Sequence, residues 1–97
     1  MTEKQALGPR WQEDGSGLVL RRVVELDYGE TRTEVRLYAR IRGDAPTSLF
    51  AGYDIGMWHY SKHETVADAK TKGEELLSEW GTGSPFFTGG RWLVEDE

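Results

Sequence analysis

The sequence predicts an α+β fold, an antiparallel sheet of three or four strands packed by one helix, in the order β-β-β-α with room for a C-terminal strand. Three observations carry this reading. Residues 17–41 alternate apolar and polar side chains in two consistent registers. Residues 49–60 are dense in aromatic and β-forming residues. Residues 65–80 repeat apolar side chains at helical spacing behind a capping threonine.

The first 16 residues are polar, with Gly8-Pro9 and Gly15-Ser16 as breakers. They read as a flexible N-terminal arm, with Trp11 as its anchor. Residues 17–97 read as one domain.

The hairpin comes next. Leu18, Leu20, Val24 and Leu26 occupy even positions of the first strand, and Val35, Leu37, Ala39 and Ile41 occupy odd positions of the second. A two-residue turn at Gly29-Glu30 brings both sets to one face. Glycine at the first central position suits a type II′ turn. A slip by one residue would split the apolar sets, so parity is strongly specified. Arg22 is the exception, an arginine on the apolar side opposite Leu37. It should snorkel to the sheet edge, and if buried it needs a carboxylate or several carbonyls.

Gly43 to Thr47 reads as a turn, and residues 49–60 as a third strand, with Gly52 and Gly56 marking a bulge or bend. Thr65 is a good N-cap with Asp68 three residues on. Val66, Ala69, Gly73, Leu76, Leu77 and Trp80 form one helical stripe. Glycine costs about 1 kcal/mol relative to alanine in a helix, so Gly73 is expected where the helix approaches the sheet closely. Gly81 to Pro85 stops the helix. In the tail, either Gly89-Gly90 turns a small hairpin or Arg91–Glu95 adds a fourth strand.

Composition narrows the function classes. The chain has 97 residues, no cysteine and a net charge of −5. No disulfide framework or thiolate metal site is possible. No run approaches the roughly 18 apolar residues of a membrane span, and the polar start predicts no signal peptide, so a cytoplasmic location is expected. The charge is uneven: residues 1–17 carry −1, residues 18–42 carry +2 and residues 43–97 carry −6. An acidic total argues against a general nucleic-acid binder, but the hairpin is locally basic.

No motif for catalysis emerges. Asp54 with His59 or Ser61 is a candidate set for hydrolysis, but there is no Gly-x-Ser-x-Gly elbow, and no spacing brings a pair of carboxylates together. Gly81 to Pro85 follows a helix rather than linking a strand to one, so it is no phosphate cradle. His59 and His63 are four apart, a metal-binding spacing on a helix, with the adjacent Glu64 as a third ligand. They fall between a strand and a helix cap, where helical geometry is not expected. The sequence therefore predicts no metal, no cofactor and no enzyme.

Two clusters suggest binding instead. Arg21, Arg36, Tyr38 and Arg40 fall on the outer face of the hairpin. Such a face stacks bases and holds phosphates, docks an acidic protein, or is satisfied by its own cross-strand ladder, with Arg32 on Asp27 and Arg21 over Tyr38. The second cluster is aromatic. Trp11, Trp58, Trp80, Trp92, Phe50, Phe86, Phe87, Tyr53 and Tyr60 exceed what one helix on a small sheet covers, so some of Phe50, Trp58, Phe86, Phe87 and Trp92 should lie on a second surface. Aromatic residues and arginine are enriched at interface hot spots. The alternative is that the arm and tail fold back and bury them.

The Trp-bearing strand, short polar link and helix opening Thr65-Val-Ala-Asp-Ala-Lys70 resemble small accessory proteins of actinobacterial phages and their hosts, over roughly residues 18–80. That resemblance implies a non-enzymatic protein that binds a host or host-defence protein in the host cytoplasm and inhibits or redirects it. The combined expectation is a protein-interaction module, as a monomer or homodimer, using Arg21, Arg36, Tyr38, Arg40, Trp58, Phe86, Phe87 and Trp92. The competing expectation is single-stranded nucleic-acid binding by the Arg/Tyr face.

Overall fold

A computed structural model describes residues 2–13, 15, 17–43, 46–53, 56–80 and 87–96. The architecture is an antiparallel sheet with one helix across a face. The strands are β1 (Thr2–Ala6), β2 (Gln12–Glu13), β3 (Leu18–Tyr28), β4 (Thr31–Arg42), β5 (Thr47–Tyr53), β6 (Gly56–His63) and β7 (Phe87–Asp96). The helix α1 spans Val66–Trp80 between β6 and β7. The spatial order is β1-β7-β3-β4-β5-β6, with the short β2 paired to β3. The sheet is therefore larger than three or four strands.

The β3–β4 register is the one that alternation dictates. Leu18 pairs with Ile41, Val24 with Val35 and Tyr28 with Thr31. Gly29 has φ +72°, and no described non-glycine residue has positive φ. One left-handed position followed by an ordinary one fits the type II′ turn.

The aromatic run from residue 49 is two strands, not one. β5 and β6 pair antiparallel, Thr47 with His63 and Ala51 with His59. Alternation alone cannot separate one long strand from a tight hairpin, because both keep period two. Between Ala51 and Gly52 the register shifts, and Trp58 is the extra residue. This bulge lets consecutive residues Trp58 and His59 both turn to the helix side.

The tail is a strand rather than a hairpin. β7 pairs with β3 through Arg22–Trp92 and Val23–Arg91, then resumes at Glu25–Thr88. Gly89-Gly90 forms a bulge, with one residue more than β3 offers opposite. Thr2–Ala6, within the segment expected to be an arm, pairs along β7 from Thr2–Asp96 to Ala6–Trp92. Gln12–Glu13 pairs with Leu18–Val19. Local patterning gave no hint of β1, whose residues are polar and gain a strand only from the neighbouring edge.

The core lies between the sheet and α1. Leu20, Val24, Leu37, Ala39, Ile41, Leu49 and Ala51 from the strands meet Ala69 and Leu77 from the helix, all at most 2% exposed. Burying one leucine this completely stabilises by roughly 1.5–3 kcal/mol. Thr65 caps the helix: Asp68 N–H donates to Thr65 Oγ1 at 3.1 Å, and Ala69 N–H donates to the Thr65 carbonyl at 3.2 Å. Gly73 is buried where the helix comes nearest the sheet. A Cβ there would stand 2.8 Å from the Trp11 ring and 3.3 Å from Ala39 Cβ. Trp11 is thus the anchor expected of it, and its Nε1–H donates to Glu74 at 2.9 Å.

Candidate functional site

With α1 on one face, the opposite face of the sheet is left open. Register places its residues in rows. Val19, Arg40, Phe50 and Tyr60 form one row. Leu93, Arg21, Tyr38, Gly52 and Met57 form the next. Val23 and Arg36 lie beyond them, and Arg42, Ser48 and Lys62 lie on the other side. Among these residues are the cations Arg21, Arg36, Arg40, Arg42 and Lys62, and Arg91 of β7 lies opposite Val23.

The carboxylates at the hairpin tip are paired. Glu25 and Glu34 are direct cross-strand partners, an arrangement that repels. Arg91 from β7 reaches both, at 3.8 Å from Glu25 and 2.7 Å from Glu34. Arg32 joins Glu25 at 4.0 Å and Asp27 at 3.7 Å. The expected Arg32–Asp27 ladder is therefore present. Charge is compensated at the tip, and Arg21, Arg36, Arg40 and Arg42 cluster toward the base.

The cations stand over an apolar floor. Val19, Val23 and Leu93 are at most 6% exposed although they point away from the helix. Each lies directly opposite an arginine in register: Arg40, Arg36 and Arg21 respectively. Arginine stems cover apolar surface while their heads stay in water. Tyr38, Arg40, Arg42, Phe50 and Met57 line a shallow depression of about 350 Å³. Phe50 and Tyr60 pack with ring centroids 5.0 Å apart at 54°. Met57 and Tyr60 are among the most exposed large apolar side chains.

Of the expected site residues, Arg21, Arg36, Tyr38 and Arg40 come together here. Trp58 and Trp92 do not. They are partly buried and pack against the core on the helix side. Phe86 lies outside the described residues, as does the side chain of Phe87. Arg42, Phe50, Met57, Tyr60 and Lys62 were missed as members of the face. The signal for them was the Gly43–Thr47 turn. Read as a hairpin, it carries the parity of β4 into β5 and puts Phe50 beside Arg40.

Among the described residues, Arg22 meets an aromatic ring. Its Cζ lies 4.5 Å from the Trp92 ring centroid, a cation–π contact. Burial lowers its pKa, and its Nε is buried without a hydrogen bond to a described residue. Gly90, at φ +150°, leaves the space this guanidinium fills.

On the helix side of β6, His59, Ser61 and His63 share a face. Ser61 Oγ lies 2.9 Å from His59 Nε2 and 2.7 Å from His63 Nε2. Burial, then the nearby Lys72 and His63, hold the His59 pKa below its usual value.

Among the described residues, no helix is long and apolar enough to cross a membrane. The chain matches no protein family, no curated protein and no solved structure.

Proposed function

We propose that the chain is a non-enzymatic protein-interaction module whose ligand surface is the open face of the sheet. The observation that carries this is the set of five cations, Arg21, Arg36, Arg40, Arg42 and Lys62, interleaved with Tyr38, Phe50 and Tyr60 on the open face. A flat, basic, aromatic surface complements an acidic protein surface. Arginine and tyrosine supply the anchoring contacts, and the charge steers encounter. That the partner is a host protein, inhibited or redirected by binding, rests on the resemblance to phage accessory proteins.

The Arg40–Phe50–Tyr60 row favours one second reading. An arginine beside two aromatic rings across three strands matches the stacking platforms that hold single-stranded nucleic acid. The overall charge of −5 weighs against it.

A comparative capture separates the two. Tagged wild type and an Arg21→Glu/Arg40→Glu variant, matched in melting temperature, are exposed to actinobacterial lysate with and without nuclease. One stoichiometric protein held by wild type, resistant to nuclease and lost by the variant, is the expected result. Capture that disappears with nuclease transfers the face to nucleic acid. Equal capture by the variant removes the face from either role.

A further inference from the structure

A cluster on the other side of the molecule is independent of the open face. His59, Ser61 and His63 are alternate residues of β6, so their side chains leave the strand on the same side. They are opposite Ala51, Leu49 and Thr47 of β5. Those neighbours are buried, and none of them competes for the rings. Thr47 Oγ1 is already committed to the carbonyls of Arg42 at 2.9 Å and Gly43 at 2.7 Å.

Residues four apart in a strand are too distant for adjacent rings to meet unless both lean inward. Here both do. The two Nε2 atoms converge on a single hydroxyl, at 2.9 and 2.7 Å. Ser61 carries one proton, so it donates to only one of them. The other ring must then present its own Nε2–H to the oxygen. The result is three potential ligand atoms gathered within hydrogen-bond distance, all on half-buried residues at a sheet edge.

We propose that His59, Ser61 and His63 form a site for a borderline divalent transition metal such as Zn²⁺ or Ni²⁺. The two Nε2 atoms are the principal ligands, the hydroxyl oxygen is a weaker third, and water completes the coordination. Metal binding needs neutral imidazole, and the buried setting of His59 favours that form. Binding requires the rings to turn from the hydroxyl so that each Nε2 comes to roughly 2.0–2.1 Å from the metal, the length of a Zn–N bond. Among the described residues no group of three His, Asp or Glu side chains is arranged to hold a metal. The site is therefore a two-imidazole site of modest strength rather than a closed structural centre. Lys72 on α1 faces His59 and opposes a bound cation. Its ion pair with Glu75, at 3.9 Å, offsets only part of that charge.

The spacing shows why the sequence argued against this pair. His-x-x-x-His is a chelating pattern on a helix. On a strand it works only when the middle residue is small and on the same face, and Ser61 is both.

Titration calorimetry with ZnCl₂ and NMR with NiCl₂ test the site on the full chain. One equivalent of Zn²⁺ is expected to bind at micromolar concentration. Ni²⁺ should broaden the ring resonances of His59 and His63 before those of any other residue. His59→Asn and His63→Asn should each weaken Zn²⁺ binding by tenfold or more. Lys72→Gln keeps all three ligands and should tighten it several-fold. The proposal is overturned by absent binding, by Zn²⁺ affinity unchanged in His63→Asn, or by Ni²⁺ broadening that starts elsewhere. The wild-type NMR result needs no variant to fold.

Discussion

Arg91 on β7 donates from Nη2 to Glu34 Oε1 on β4 at 2.7 Å, spanning the strand that separates them. The bond lies over Glu25, the direct cross-strand neighbour of Glu34. One guanidinium therefore reconciles a like-charge pair that the hairpin alone would place in contact.

Removing it should unmask that repulsion. Arg91→Ala is expected to destabilise by about 1 kcal/mol, the upper range for partly exposed pairs. Adding Glu34→Gln should recover much of the loss, because the remaining carboxylate no longer faces another. Denaturant unfolding of the double-mutant cycle measures this. Independent, additive effects would show that the three side chains do not act together.

Gly73 opposes the usual gain from replacing a helical glycine. Alanine should add about 1 kcal/mol of helix propensity. Its Cβ, however, would meet the Trp11 ring at 2.8 Å. Displacing that ring also strains the Trp11–Glu74 hydrogen bond. Gly73→Ala is expected to lower stability by about 1–3 kcal/mol, the usual range for overpacking, with a shift in tryptophan emission. A stabilised variant would show that Trp11 does not lie over the helix.

His59 makes stability depend on pH. Its folded-state pKa is lowered by burial and by Lys72 and His63, so folding favours the neutral ring. That contribution is fully present above the unfolded value near 6.5 and is lost as pH falls through the lower folded-state value. The wild-type melting temperature should therefore drop between pH 7.5 and pH 5 more than that of His59→Asn. Parallel pH curves for the two proteins would contradict the assignment.

Arg22 and Trp92 should respond unequally. Trp92 packs against the core, and Trp92→Ala is expected to cost about 3 kcal/mol or more. Arg22→Met keeps the stem and removes a guanidinium whose Nε is buried without a hydrogen bond to a described residue. That change should stay within about 1 kcal/mol of wild type, since an imperfectly paired buried charge is often replaced without loss. Thermal unfolding of both variants gives the comparison. A larger loss from Arg22→Met than from Trp92→Ala would mean that the cation–π contact outweighs the packing.

Local chemistry was enough to read the hairpin and the helix from the sequence. Period two in residues 18–41 admits one parity, and Gly29 supplies the left-handed position the turn requires. Thr65, the apolar stripe and Gly73 similarly specify where α1 begins and which side it buries. The open Arg/Tyr face follows from the same parity, so Arg21, Arg36, Tyr38 and Arg40 were legible together. What only the tertiary structure decided depends on partners far apart in the chain. Whether residues 49–60 make one strand or two, whether Gly89-Gly90 turns or bulges, and whether Thr2–Ala6 pairs at all are set by the edge each segment meets. Trp58 and Trp92 were ambiguous for the same reason: an aromatic side chain is equally suited to a core and to an interface. The bulge after Ala51 and the register of β7 turn these two inward, and no neighbour in sequence carries that information.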